Sequence, residues 1–111
     1  MGFSIADIEK KGIKLDPVEM DVDGFKDKVI VQRFTWAQFD TLLEADKETS
    51  DKNYITRQVI RLMSGPGIEP TEEQITQMQN VFSAAQIMQI YTEGFAVNGF
   101  GPSASRNAQK K

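Results

Sequence analysis

The segment VEMDVDGFKDKVIVQRF, running from Val18 to Phe34, separates a mixed fold from an all-helical one. Asp23-Gly24 is the strongest short hairpin signal in the chain, because a two-residue loop needs backbone that Gly and Asp tolerate. With those two as the loop, Val22 faces Phe25, Asp21 faces Lys26, Glu19 faces Lys28 and Val18 faces Val29. One face then carries opposite-charge pairs and the other is mostly apolar, the arrangement that cross-strand pairing rewards. Met20 opposite Asp27 is the misfit, which a one-residue bulge would relieve. Pro17 has no N–H for a ladder and marks an edge strand. An isolated hairpin is marginal in water, so its apolar face must rest on helices.

The flanking sequence supplies those helices. Before the hairpin, Ser4 and Asp7 suit an N-cap, Phe3 and Ile8 a hydrophobic staple, and Lys10, Lys11 and Gly12 a C-terminus. They predict a helix of about two turns, which needs tertiary contacts to persist. After it, Thr35-Trp36-Ala37-Gln38 is a capping box stapled by Phe34 and Phe39, with Trp36, Phe39, Leu42 and Leu43 on one face. A second helix runs from about Asp51 to Ser64, with a core stripe of Ile55, Val59, Leu62 and Met63. Ser64-Gly65-Pro66-Gly67-Ile68-Glu69-Pro70 breaks the pattern. Thr71-Glu72-Glu73-Gln74 is another capping box, opening a helix from about Glu72 to Glu93 with Gly94 as its stop. The expected fold is α+β: an N-terminal short helix and an antiparallel β-hairpin or small sheet packed against three helices, the last one long. One domain spans residues 1–94 and a flexible C-terminal tail spans 95–111.

Composition narrows the function. The 111 residues are 40% hydrophobic and 26% charged, which suits one soluble domain with one modest core. Cysteine and histidine are both absent, removing thiolate chemistry, the commonest general base and the commonest metal ligand. Paired carboxylates remain, at Glu72/Glu73, Asp21/Asp23 and Asp46/Glu48, but each pair has a cap, turn or loop to explain it. No enzyme activity, metal or cofactor is expected. Thirteen Lys and Arg against sixteen Asp and Glu leave a net charge of −3, a poor footprint for nucleic acid. Arg57 and Arg61 share a helix face, read as a solvated surface; a small DNA-binding regulator is the weaker use for it. No run approaches the ~20 apolar residues of a membrane span, and Met1-Gly2-Phe3 is not followed by a signal-peptide pattern.

The last helix carries the functional signal. Between Arg61 and Arg106 there is no Lys or Arg, and only Glu69, Glu72, Glu73 and Glu93 are acidic. A solvated helix normally carries ion pairs; this one carries Gln, Thr, Asn and Ser. Ile75, Met78, Val81, Phe82 and Ala85 form one stripe, and Ala84, Ile87, Met88, Ile90 and Tyr91 spread beyond it. Two arrangements fit: a central helix buried on several sides, or a helix with a second apolar face for a partner or another copy. Uncharged rims and adaptable Met residues suit an interface. Phe95, Val97 and Phe100 in a Gly/Pro/Ser-rich tail favour the second arrangement, since large apolar groups on a tail need something to bind. The candidate partner-binding residues are Ile87, Ile90, Tyr91, Phe95, Val97 and Phe100.

In overall plan the chain resembles the tail assembly chaperones of long-tailed (siphovirus-type) bacteriophages and prophages. The likeness lies in a short acidic chain, a β-rich Lys14–Phe34 start, helices opened by Phe34-Thr35-Trp36-Ala37-Gln38 and Thr71-Glu72-Glu73-Gln74, and a loose C-terminal end. The resemblance implies a non-catalytic protein of the host bacterial cytoplasm that is left out of the mature virion. It implies coating of the tape measure protein before the tail tube polymerises, with self-association along that client. It also implies that a frameshifted longer form recruits tail tube protein; Gln109-Lys110-Lys111 is compatible with an adenine run that would allow the slip. The alternative within the same setting is a small structural virion protein, such as a head–tail connector.

Overall fold

The computed structural model describes residues 15–47 and 49–100, and the predicted helix between Ser4 and Lys11 lies outside them. Six elements follow in order: β1 (Val18–Met20), β2 (Val29–Val31), α1 (Trp36–Ala45), α2 (Tyr54–Ser64), α3 (Glu72–Val81) and α4 (Ala84–Val97). The fold is α+β, a two-stranded antiparallel sheet with helices packed on it.

The hairpin forms in a different register from the one expected. Val18 pairs with Val31, Glu19 with Ile30 and Met20 with Val29, a shift of two residues. A two-residue shift keeps every side chain on its own face, because the strand period is two. It also removes the misfit, placing Met20 opposite Val29 instead of Asp27. Asp23-Gly24 still turns the chain: the Phe25 N–H donates to the Val22 carbonyl (2.9 Å), and Gly24 sits at φ 80°. Positive φ at the third turn position is where glycine is favoured. The turn tips a wider loop rather than closing the ladder, because both its flanking apolar residues turn inward. Val22 is buried, and Phe25 packs on Phe82 with ring centroids 4.6 Å apart.

Both expected capping boxes form. Thr35 and Gln38 exchange bonds at the start of α1, and Thr71 and Gln74 do so at the start of α3. The long helix expected from Glu72 to Glu93 is instead two helices. Phe82 leaves helical geometry (ψ 147°), and Ser83 caps a new helix by accepting from the Gln86 N–H (3.1 Å) while its own N–H reaches Gln86 Oε1 (2.8 Å). The break swings Phe82 into the core.

Gly94 is not a stop. It lies within α4, and a Cβ built on it would stand 2.8 Å from Leu62 Cδ1, so its missing side chain allows α4 to approach α2. The domain boundary placed after Gly94 therefore falls inside a helix. Phe95 and Val97 are helical and pack on the core, as does Phe100 beyond the helix end. Asn98 fastens this end: Oδ1 accepts from the Phe34 N–H (2.8 Å), and Nδ2 donates to the Gln32 and Gly94 carbonyls (3.2 and 3.0 Å).

The core is assembled round α2, which touches α1, α3, α4 and β2. Val59 and Leu62 are fully enclosed with Val31, Ile75 and Ile90. Gln58 is enclosed too and satisfied there: Nε2 donates to the Leu42 carbonyl (2.9 Å) and to Asp46 Oδ1 (3.3 Å). Buried amides need such partners, since an unpaired one costs about 1–3 kcal/mol.

Candidate interaction surface

The six candidate residues fall into two groups. Ile87 and Ile90 are buried in this chain's own core, Ile90 completely. They face inward because the break at Phe82–Ser83 resets the helical phase, so the apolar stripe of α4 is not a continuation of that of α3. Ile90 is closed to a partner, whereas Ile87, though buried, lines a surface groove beside Ala84 and Met88. Tyr91, Phe95, Val97 and Phe100 are half-buried and sit at or near the surface between α4 and α1.

Three of those four belong to one aromatic seam. Tyr91 tilts against Phe95 (centroids 5.0 Å), Phe95 meets Phe39 edge-on (5.4 Å), and Phe39 stacks on Phe100 (5.1 Å). Phe100 in turn stacks on Trp36 (6.0 Å), whose other face is open to solvent, at 69% exposure. Each such pair contributes roughly 0.5–1.5 kcal/mol beyond the area it buries, so the seam is structural along most of its length. At its inner end the Tyr91 hydroxyl donates to both Asp46 oxygens (2.8 and 3.0 Å). Burial, and then this bond to a carboxylate, push the phenol well above its ordinary pKa of 10.0. Asp46 is the C-cap of α1, where a negative charge opposes the helix dipole; the donors from Tyr91 and Gln58 offset that.

Among the described residues Ile30, Trp36, Ile68, Val81 and Met88 are exposed large apolar side chains, and the last two flank the helix break. Val81 is 60% exposed and Met88 44%. Two open grooves, of about 210 and 280 Å³, meet at Phe82. Met63, Met78 and Val81 line the first, Ile55, Ala84 and Met88 the second. Their polar lining is uncharged, Ser64, Gln74 and Gln77 on one and Thr56 and Gln79 on the other; Gln74 Oε1 accepts from the Thr71 N–H (3.0 Å), Gln79 Nε2 donates to Asn53 and Thr56 (3.0 and 3.2 Å), and no Lys or Arg occurs from residue 62 to residue 105. Not every glutamine here is spare. Gln86 and Gln89 donate to the Asp23 and Asp21 carbonyls (3.0 and 3.3 Å), and Gln89 accepts from the Asp23 N–H (2.9 Å), so these two hold the hairpin loop.

Trp36, Val81 and Met88 are surface residues that the sequence reading does not single out as contacts. The signal for the last two is Ser83-Ala-Ala-Gln86, a third Ser-x-x-Gln capping pattern. Read as a helix start, it breaks the apolar run and turns Val81 and Met88 outward.

Four of the basic side chains among the described residues pair with carboxylates. Arg57 reaches Asp51 and Glu72, Lys28 reaches Asp21 (2.7 Å) and Lys47 reaches Glu44 (2.7 Å). The carboxylates that composition leaves as catalytic candidates are thus used in structure at Asp21, Asp46 and Glu72. No group of three or more acidic side chains among the described residues is placed to hold a metal ion. No helix among them is long and apolar enough to cross a membrane. Comparison with protein-family models, with curated proteins and with solved structures finds no match to this chain.

Proposed function

We propose that this protein is a tail assembly chaperone of a long-tailed bacteriophage or prophage. It binds the tape measure protein and keeps it soluble until the tail tube polymerises, acting in the host cytoplasm without catalysis and remaining outside the finished virion. The observation that carries this reading is the cation-free apolar surface round the α3–α4 break, where Val81 and Met88 stand exposed beside two open grooves. A long, apolar, helical client suits such grooves, since methionine side chains re-pack against varied surfaces. The amide rim adds hydrogen bonds without fixing one charge pattern. Shallow grooves also suit release, because a holder displaced by tube subunits must have a fast off-rate. Several copies on one client supply avidity without tight single contacts.

The rival use of Arg57 and Arg61 as a DNA contact is weakened at Arg57, which faces two carboxylates, and at Arg61, whose side chain is only 18% exposed. The reading expects a tape measure reading frame beside the gene for this chain; the test is to find it, co-express its product with this chain, and follow with mass spectrometry of purified particles. The chaperone reading expects a soluble complex before assembly and no copy of this chain in the particle. A stoichiometric copy in the particle would make it a structural component instead.

A further inference from the structure

A cleft of about 260 Å³ lies between α1 and the loop that joins α2 to α3, away from the grooves at Phe82. Its apolar walls are Phe34, Leu42, Ala45 and Ile68, its polar lining includes Gln38, Thr41 and the carboxylate of Glu69, and Gly65 and Gly67 in the loop are held at positive φ (107° and 81°) on either side of Pro66. One cation lines it, Arg61, with its side chain 18% exposed. The guanidinium is aimed by Gln58, whose fully buried Oε1 accepts from Nη1 while its Nε2 is anchored on the Leu42 carbonyl. The other bond of Arg61 among the described residues runs to Glu69, at 3.5 Å, and Glu69 is 83% exposed. That distance is well beyond the roughly 2.7–2.9 Å of a good charge-assisted bond. Two of the five guanidinium N–H donors are therefore used, one of them weakly. Arg57, one turn earlier on the same helix, shows the contrast: it is closed off by Asp51 and by Glu72 at 2.7 Å.

We infer that this cleft binds a carboxylate carried on a short apolar group, the C-terminal apolar residue of a partner polypeptide. The apolar walls take the side chain, and the Arg61 fork takes the carboxylate in two parallel bonds, with Glu69 as the weak internal competitor. Size points the same way. The cleft falls below the roughly 300–1,000 Å³ of pockets for drug-sized ligands, which leaves room for one residue rather than a cofactor. A part-buried, pre-aimed guanidinium loses little freedom on binding, and it discriminates against an amide, which would leave its charge unanswered.

The test uses the full chain and NMR titration with three probes: N-acetyl-glycyl-leucine with a free carboxylate, its C-terminal amide, and isocaproate. The free acid is expected to saturate shifts at the Gly65 and Gly67 amides and at the Arg61 Nε–H, while the amide does not. Arg61→Gln removes the fork and weakens binding by at least roughly tenfold, the least that one charge-assisted bond supplies, and Arg57→Gln does not. Glu69→Gln, an exposed change that leaves the core alone, tightens it by roughly two- to fivefold, the range of a surface ion pair. A peptide that binds more tightly than isocaproate identifies a polypeptide terminus as the source; equal affinity identifies a small organic acid carrying the same group. Equal binding of the acid and the amide, or no effect of Glu69→Gln on the affinity of the acid, overturns the assignment.

Discussion

Asn98→Ala tests whether residues 95–100 belong to the domain. The amide closes three bonds between the end of α4 and the strand-to-helix connection: from the Phe34 N–H, and to the Gln32 and Gly94 carbonyls. The first is the costly one to lose, since it leaves a part-buried N–H without an acceptor, at about 1–3 kcal/mol. The two carbonyls each keep a second lone pair for water or backbone, so they add about 0.5–1 kcal/mol apiece. The expected loss is about 2–5 kcal/mol, a large share of a stability that for single domains is about 5–15 kcal/mol. For a chain of this size the thermal midpoint should fall by roughly 10–20 °C. Urea denaturation gives the free energy, and amide hydrogen exchange gives the place: the Phe34 N–H should lose protection before the β2 amides do. A loss under about 0.5 kcal/mol, with Phe34 still protected, would refute the clamp and return residues 95–100 to a tail.

Ile90→Asp and Met88→Asp should separate core from surface on a single helix: the first buries an unpaired charge and abolishes the folded state, while the second leaves the thermal midpoint within a few degrees. Gly94→Ala gains about 1 kcal/mol of helix propensity and loses about 1–3 kcal/mol by overpacking against Leu62, a net destabilisation; in a double-mutant cycle Leu62→Ala should relieve part of it, and strict additivity would show that the two do not touch. Tyr91 is raised above its ordinary pKa of 10.0, so its contribution is complete below that pH and fades as pH climbs through the folded value; Tyr91→Phe should flatten this alkaline limb in pH-dependent urea midpoints, and parallel curves would count against the Asp46 bond. Asp51 is lowered from 3.8, by the Asn53 N–H and then Arg57, so its contribution is present above that pH and fades as pH falls through the folded value; Asp51→Asn should remove that acid limb.

What could be read in advance was local. Thr35 with Gln38, and Thr71 with Gln74, announce helix starts through bonds spanning three residues, and both formed. The hairpin register was not legible, because the loop's backbone is satisfied by Gln86 and Gln89, more than sixty residues away, and not by the partner strand. Gly94 carries two meanings in a sequence, helix stop or close approach, and only the presence of Leu62 selects the second. The surface was harder still. Ile87, Met88 and Ile90 are all apolar and all within four positions, and which of them faces solvent depends on the phase set at Ser83. The same Ser-x-x-Gln pattern was available there, but it sits inside a run whose apolar spacing continues across it. Phe100 reaches the core by stacking on Phe39 and Trp36, a contact that no local pattern encodes.

The chaperone reading stands or falls on the exposed apolar side chains at the helix break. A chain carrying both Val81→Asp and Met88→Asp should fold with the parent's circular dichroism and melting behaviour, because neither side chain is in the core. Co-expressed with the tape measure protein that the proposal assigns as client, it should leave that client in the insoluble fraction, where the proposal expects the unaltered chain to keep it in solution. A folded double variant that still holds the client in solution would contradict the account.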